Sequence, residues 1–289
     1  MALGGLVAVG GLAACGDDGD DEATDETSEP SESERVLVLM ADSASSLVVG
    51  APARLPLGVG DSDGALVDDP PATLTVSIED EDGGTVETGI EVARRDAGLP
   101  RSYYPLLFTT PAPGFYRAVT QVDGQPVDAA FEVRPADEIV VPVPGQPLPP
   151  TPTPTVADAR GVDPICTQDP PCPLHEVDLE TALGTGPLAV LVSTPAFCQT
   201  AICGPVLDVF VAAQAETPDV TFVHVEVYES AEEVEAEGPD ATLAPAVAAW
   251  KLPYEPCLFL VAADGTVAER LDVIYDTDEL AEALARLTS

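Results

Sequence analysis

Basic residues are scarce in this chain. Lys251 is its only lysine, and Lys plus Arg total 11 against 51 Asp plus Glu, a formal net charge of −40. Such a surface repels nucleic-acid phosphates and anionic lipid headgroups, which excludes a DNA- or RNA-binding role. The charge is spread along the folded regions and reads as a solvated acidic surface suited to salty surroundings. Histidine occurs twice, at His175 and His224, so any imidazole-dependent mechanism must use one of these two. No Gly-rich phosphate loop and no Ser-His-Asp arrangement is present. Between Arg35 and Pro135 there is neither Cys nor His, which removes thiol catalysis and soft-metal binding from that stretch.

What is present begins with a short apolar N-terminus ending in Leu12-Ala13-Ala14-Cys15-Gly16. It is too short to span a bilayer and carries a small-residue processing site, so residues 1–15 read as an export signal. The motif resembles the bacterial lipobox, which implies that Cys15 is the lipidated residue, although the usual basic n-region is missing. Residues 16–34 are nearly all Asp, Glu, Ser, Thr and Gly and are expected to form a disordered tether. This places the chain on the extracytoplasmic face of a cell membrane, held by its lipid anchor, where disulfides persist. Five cysteines then remain: Cys166, Cys172, Cys198, Cys203 and Cys257. An odd number leaves at least one thiol free or bonded elsewhere.

Residues 35–135 show short alternating β-type runs: Val36–Met40, Ala53–Val59, Thr73–Ile78, Thr85–Val92, Phe115–Val122 and Val127–Val133. Asp123-Gly124 is a strong hairpin turn between the last two. Strand number and spacing predict an antiparallel sandwich, and the closing hairpin resembles that of immunoglobulin-like domains. Residues 136–173 form a Pro-rich linker carrying a Cys pair. Its Pro142–Pro154 stretch is expected to be an extended spacer of roughly 40 Å.

In residues 174–289 strands alternate with helices. Leu188–Ser193 reads as a strand, Cys198–Gln214 as a helix, Val220–Val227 as a strand and Thr242–Trp250 as a helix. Cys257–Ala262 and Thr266–Leu271 form a hairpin across Ala263-Asp264-Gly265, and Thr277–Leu287 is the last helix, with Thr277 as its N-cap. A Cys opening a helix after a β-run, Pro205 inside that helix, Pro256 before the next strand and the Asp264-Gly265 turn together resemble the thioredoxin fold. That resemblance implies a two-domain protein, an immunoglobulin-like sandwich followed by an α/β thioredoxin-like fold. It also implies that Cys198 is the reactive thiol, Cys203 its partner, and Pro256 a cis proline facing the sulfur.

The spacing departs from the family, whose two Cys stand three apart. Cys198 and Cys203 are five apart, which on one ideal helix separates their Cα atoms by about 8.7 Å. Disulfides need roughly 4.4–6.8 Å. Either Cys198 precedes the helix or the first turn unwinds. Cys-x4-Cys followed by Gly204 also resembles a subgroup of peroxiredoxins. Those carry Thr or Ser three residues before the reactive Cys and Pro seven before, positions that are Pro195 and Leu191 here, with Thr194 displaced by one.

Cys166 and Cys172 flank Thr-Gln-Asp-Pro-Pro and read as a structural disulfide, leaving Cys198, Cys203 and Cys257 as the redox set. Alternatively one of them bonds Cys257 or the active-site pair. Cys257 is either a third thiol near the redox pair or a small buried hydrophobe. Copper chaperones of the same superfold add a distant His to their Cys motif, but the Cys spacing and the lack of a His after the hairpin argue against that, so no metal and no cofactor are expected. The expected function is a membrane-anchored extracytoplasmic thiol–disulfide oxidoreductase whose partners are protein thiols and disulfides. Its alternatives are a non-catalytic envelope module and a thiol peroxidase.

Overall fold

The computed structural model describes residues 34–289. The export signal, the lipidation of Cys15 and nearly all of the acidic tether therefore lie outside the described residues. Seven strands come first: β1 (Val36–Leu39), β2 (Ala53–Gly60), β3 (Thr73–Asp80), β4 (Thr85–Ala93), β5 (Tyr104–Phe108), β6 (Gly114–Val122) and β7 (Gln125–Val133). They form two antiparallel sheets, ordered β1-β2-β5 and β4-β3-β6-β7, the three-plus-four layout of an immunoglobulin-like sandwich. Alternation builds its core: Tyr116, Ala118 and Val122 of β6 and Val127, Ala129, Phe131 and Val133 of β7 all point inward. The turn Asp123-Gly124 has φ of 52° and 79°, the doubly positive pair that a two-residue hairpin of matching twist requires. β5 is absent from the sequence reading because Pro105 interrupts it. It lies at the edge of its sheet, where a missing N–H is tolerated.

A third sheet follows, ordered β11-β10-β8-β9, from β8 (Leu188–Val192), β9 (Thr221–Val225), β10 (Cys257–Val261) and β11 (Val267–Asp272). Only β8 and β9 run parallel. The helices are α1 (Leu179–Ala182), α2 (Cys203–Glu216), α3 (Ala231–Glu237), α4 (Pro245–Trp250) and α5 (Thr277–Leu287). β8 and β10 are buried at every position, as their unbroken apolar runs dictate. Leu191, Leu258 and Leu260 pack with Phe210 of α2 and Leu280 and Leu284 of α5. Val190, Val192 and Phe259 pack on the opposite side with Trp250 of α4. The cap of α5 is Asp276, which accepts from Glu279 N at 2.8 Å; Thr277, the expected cap, instead donates its hydroxyl to Ala97 O.

The expected division into a sandwich and a separate α/β thioredoxin-like domain does not hold. The described chain is mainly β-sheet, three sheets with 19% helix, and residues 34–289 form one compact unit. The Pro-rich stretch is the physical reason. Val141, Val143 and Leu148 enter the same core as Trp250 and Phe259, so this stretch is structure and not spacer. Its backbone adds to the sheet: Gly145 N–H donates to Val267 O at 2.8 Å, Val267 N–H to Gln146 O at 2.8 Å, and Leu148 N–H to Gly265 O at 2.9 Å. Thr151 accepts from the indole N–H of Trp250 at 3.0 Å.

The sandwich is tied to the third sheet by charge. Arg54 of β2 reaches Glu279 of α5 in a two-pronged pair, Nε to Oε1 at 2.6 Å and Nη2 to Oε2 at 2.8 Å. Its remaining donors satisfy Asp272 O at 3.2 Å and Ile274 O at 2.5 Å. Tyr103 donates its hydroxyl to the same carboxylate. From the other side, Arg270 pairs with Asp272 at 2.9 Å and donates to Ser45 O at 3.2 Å and Pro142 O at 3.3 Å. Both arginine side chains are buried, at 7% and 3% exposure, and paired with carboxylates, the condition under which a buried ion pair is tolerated.

Candidate functional site

β8 ends at Val192, and the chain runs through a loop before α2 begins at Cys203. Pro205 sets that starting point. Within the first helical turn its missing N–H has no intrahelical partner to lose, whereas in a helix begun at Cys198 it would break a backbone bond. Ala201, at φ 55°, also prevents an earlier start. Cys198 therefore sits in the loop, and the Cα separation of a common helix does not apply. Its sulfur, that of Cys203 and a carboxylate oxygen of Glu255 all lie within 4.8 Å of one another.

The two thiols have opposite environments. Cys198 is half-buried and Cys203 is fully buried. Cys198 Sγ accepts the backbone N–H of Cys203 at 3.4 Å and lies 3.4 Å from Thr200 Oγ1. Hydrogen bonding from the Cys203 thiol, with that from Thr200 and the helix-start amides, outweighs burial and lowers the Cys198 thiol to about 5. The same bond, burial and the nearby Glu255 charge push the Cys203 thiol up. Burial first, then the charges of Cys198 and Glu226, raise Glu255 to about 8. Its Oε2 is buried without a hydrogen-bond partner. The arrangement is an accessible thiolate, a protected thiol and a carboxyl poised near neutrality.

An open cleft of ≈ 400 Å³ adjoins the pair, lined in part by Gln199, Thr200, Tyr228, Leu243, Tyr254 and Glu255. The Glu255-Pro256 bond is cis, and Pro256 is buried at the head of β10. Cys257 is not brought to the pair. It packs in the core on the other side of the sheet, and its thiol donates to Tyr254 O at 3.2 Å. Cys166 and Cys172 are free thiols, not a bonded pair, and both lie against His175 and His224. Sequence reasoning missed Glu255, although an acid immediately before Pro256 was visible. It also missed the meeting of the two histidines with Cys166 and Cys172, for which Cys-x5-Cys-x2-His was the available signal.

No protein-family model and no curated protein matches the chain. Among solved structures one match is the filamin domain of Lin-41, at 19% identity over 35% of this chain and 91% of that one, with a TM-score of 0.24.

Proposed function

We propose that the chain is a thiol–disulfide oxidoreductase whose redox couple is Cys198 and Cys203. The observation that carries this reading is the asymmetry of the pair: an accessible sulfur held as thiolate by hydrogen bonds from the Cys203 thiol, Thr200 and the helix-start amides, against a buried sulfur held as thiol. In the oxidised protein a Cys198–Cys203 bond is attacked at Cys198 by a substrate thiolate. Cys203 leaves and takes up a proton, and a mixed disulfide remains on Cys198. A second substrate thiolate attacks the substrate sulfur of that bond and releases Cys198 as thiolate. One substrate dithiol loses two electrons and two protons, and one protein disulfide gains the electrons. Glu255, within reach of both sulfurs, supplies and removes the Cys203 proton. The adjoining cleft suits an extended segment of a protein substrate. Anchoring through Cys15 would put this chemistry outside the membrane; no helix among the described residues is long and apolar enough to cross it.

The pH dependence is the first test. Alkylation of Cys198 by iodoacetamide should be constant at neutral pH and fall about tenfold per unit below a midpoint near 5. The sign follows from the thiolate being the nucleophile and its protonation the loss. A midpoint near 9 would sink the proposal. Cys203→Ser should accumulate a mixed disulfide on Cys198 that resolves only through external thiol.

Glu255→Gln separates proton transfer from nucleophilicity. The carboxyl is largely protonated at pH 7, so the amide should leave the alkylation midpoint of Cys198 nearly unchanged. In the reductive half-cycle, attack of Cys203 on a mixed disulfide should slow by about 10²-fold, the lower range for a lost general base. Stopped-flow release of a substrate thiol reads both steps, and equal slowing of both would contradict the assigned role.

A further inference from the structure

The second cysteine cluster shares no residue with the exchange site. Cys166, Cys172 and His175 come from the loop between residues 163 and 178, and His224 comes from β9. All four are buried, at 3%, 8%, 2% and 0% exposure. One donor atom from each falls within 4.8 Å of the others.

The separations have a definite size. His224 Nδ1 lies 3.1 Å from His175 Nε2, 3.4 Å from Cys172 Sγ and 3.8 Å from Cys166 Sγ, and Cys172 Sγ lies 3.3 Å from His175 Nε2. A tetrahedral zinc ion, with bonds of ~2.3 Å to sulfur and ~2.0–2.1 Å to nitrogen, spaces its donors ~3.3–3.8 Å apart. Four of the six donor–donor edges match that tetrahedron to within a few tenths of an ångström, and the two that join Cys166 to Cys172 and to His175 lie within 4.8 Å.

The surroundings orient the donors. His224 Nε2 lies 3.1 Å from Ser193 O, which can only accept, and 2.9 Å from Ser193 Oγ, which can also accept; a proton on Nε2 serves both and leaves the Nδ1 lone pair facing the cluster. Cys172 N–H donates to Cys166 Sγ at 3.4 Å, a bond that favours a thiolate. His175 Nδ1 is buried without a hydrogen-bond partner, so this ring is held only through Nε2, the atom turned toward the thiols.

We propose that Cys166, Cys172, His175 and His224 form a closed tetrahedral metal site for Zn²⁺. Two thiolates and two neutral imidazoles neutralise the ion's charge, complete its coordination and leave no position for substrate, which makes the site structural. It fastens the loop beside the reactive cysteine: Thr167 Oγ1 accepts from Ala196 N–H at 3.2 Å, and Thr167 N–H donates to Glu226 at 2.8 Å. The site stands on its own donors and does not depend on the redox reading of Cys198.

The test is elemental analysis of the purified full chain together with Co²⁺ substitution. One zinc per chain is expected, and Co²⁺ should give the intense ligand-field bands of a tetrahedral site with thiolate-to-cobalt charge transfer. Both should persist in the Cys198→Ser/Cys203→Ser variant, which removes the other thiol pair. Both should be lost in His224→Ala, with His175→Ala as the second variant should the first not fold. Zinc that disappears with Cys198→Ser/Cys203→Ser would overturn the proposal. So would a wild-type chain that binds neither ion, or a Cys166–Cys172 disulfide found by mass mapping.

Discussion

Cys198→Ser is expected to reduce thiol–disulfide exchange to the uncatalysed rate while leaving the fold intact. The side chain is half-buried in a loop, and the substitution keeps its volume nearly constant, so the stability cost is small. The chemical cost is complete, because serine cannot form the mixed disulfide. The low pKa of this thiol also decides which direction the pair favours. At pH 7 it raises the thiolate fraction from a few per cent to nearly all, about 30-fold. A sulfur so much less basic is a weaker nucleophile by a comparable factor, since the Brønsted slope is about 0.4–0.5. The two effects offset each other in attack. They do not offset when Cys198 leaves, where low basicity only helps. Stabilising the thiolate also stabilises the reduced protein, which makes its disulfide the stronger oxidant. The couple should therefore oxidise substrate dithiols faster than it reduces substrate disulfides. Assaying both directions on one peptide would check this, and Cys198→Ser should be silent in each.

Arg54→Ala is expected to cost about 3–5 kcal/mol, the usual loss when one member of a buried ion pair is removed. Against a typical total of about 5–15 kcal/mol this is a large share of the stability. The loss comes from what remains. Burial tends to raise Glu279, but Arg54 overcomes it through charge and hydrogen bonds, with Tyr103 and Arg95 helping, and the carboxyl sits below its ordinary value. A depressed carboxyl contributes stability above its unfolded pKa and loses it as pH falls through the folded one. Without Arg54, burial dominates and the sign reverses, so the variant should weaken as pH rises from 5 to 7. Urea titrations at the two pH values would show it, and Arg54→Met with Glu279→Leu should recover most of the loss. Equal stability of Arg54→Ala and wild type would mean the pair does not hold the sandwich to the third sheet.

Local patterns in this chain were legible in its sequence. The alternating runs, the Asp123-Gly124 turn, the β10–β11 hairpin and the bounds of α5 all rest on contacts between near neighbours. Long-range features were not. Val141, Val143 and Leu148 sit among prolines and read as spacer, because proline hides the ladder that Gly145, Gln146 and Leu148 still make. Arg54 and Glu279 are 225 positions apart, and neither advertises the other. At the candidate site, Cys198 and Cys203 could be read as a pair, but their geometry depended on where α2 starts. Pro205 answers that question, because it limits where the helix can begin as well as resembling a family position. The spacing of Cys166 and Cys172 by itself points only to each other. His224 joins them from a strand more than fifty residues away, 52 positions beyond Cys172.

Redox titration of the full chain in glutathione buffers, with mass-mapped trapping of its thiols, tests the central claim most directly. The account predicts a reversible Cys198–Cys203 bond, less reducing than a dithiol of ordinary pKa, with Cys198 the first sulfur alkylated once that bond opens. A Cys198–Cys203 bond that never forms, or one that resists mild reductant and leaves Cys198 inert afterwards, would contradict it.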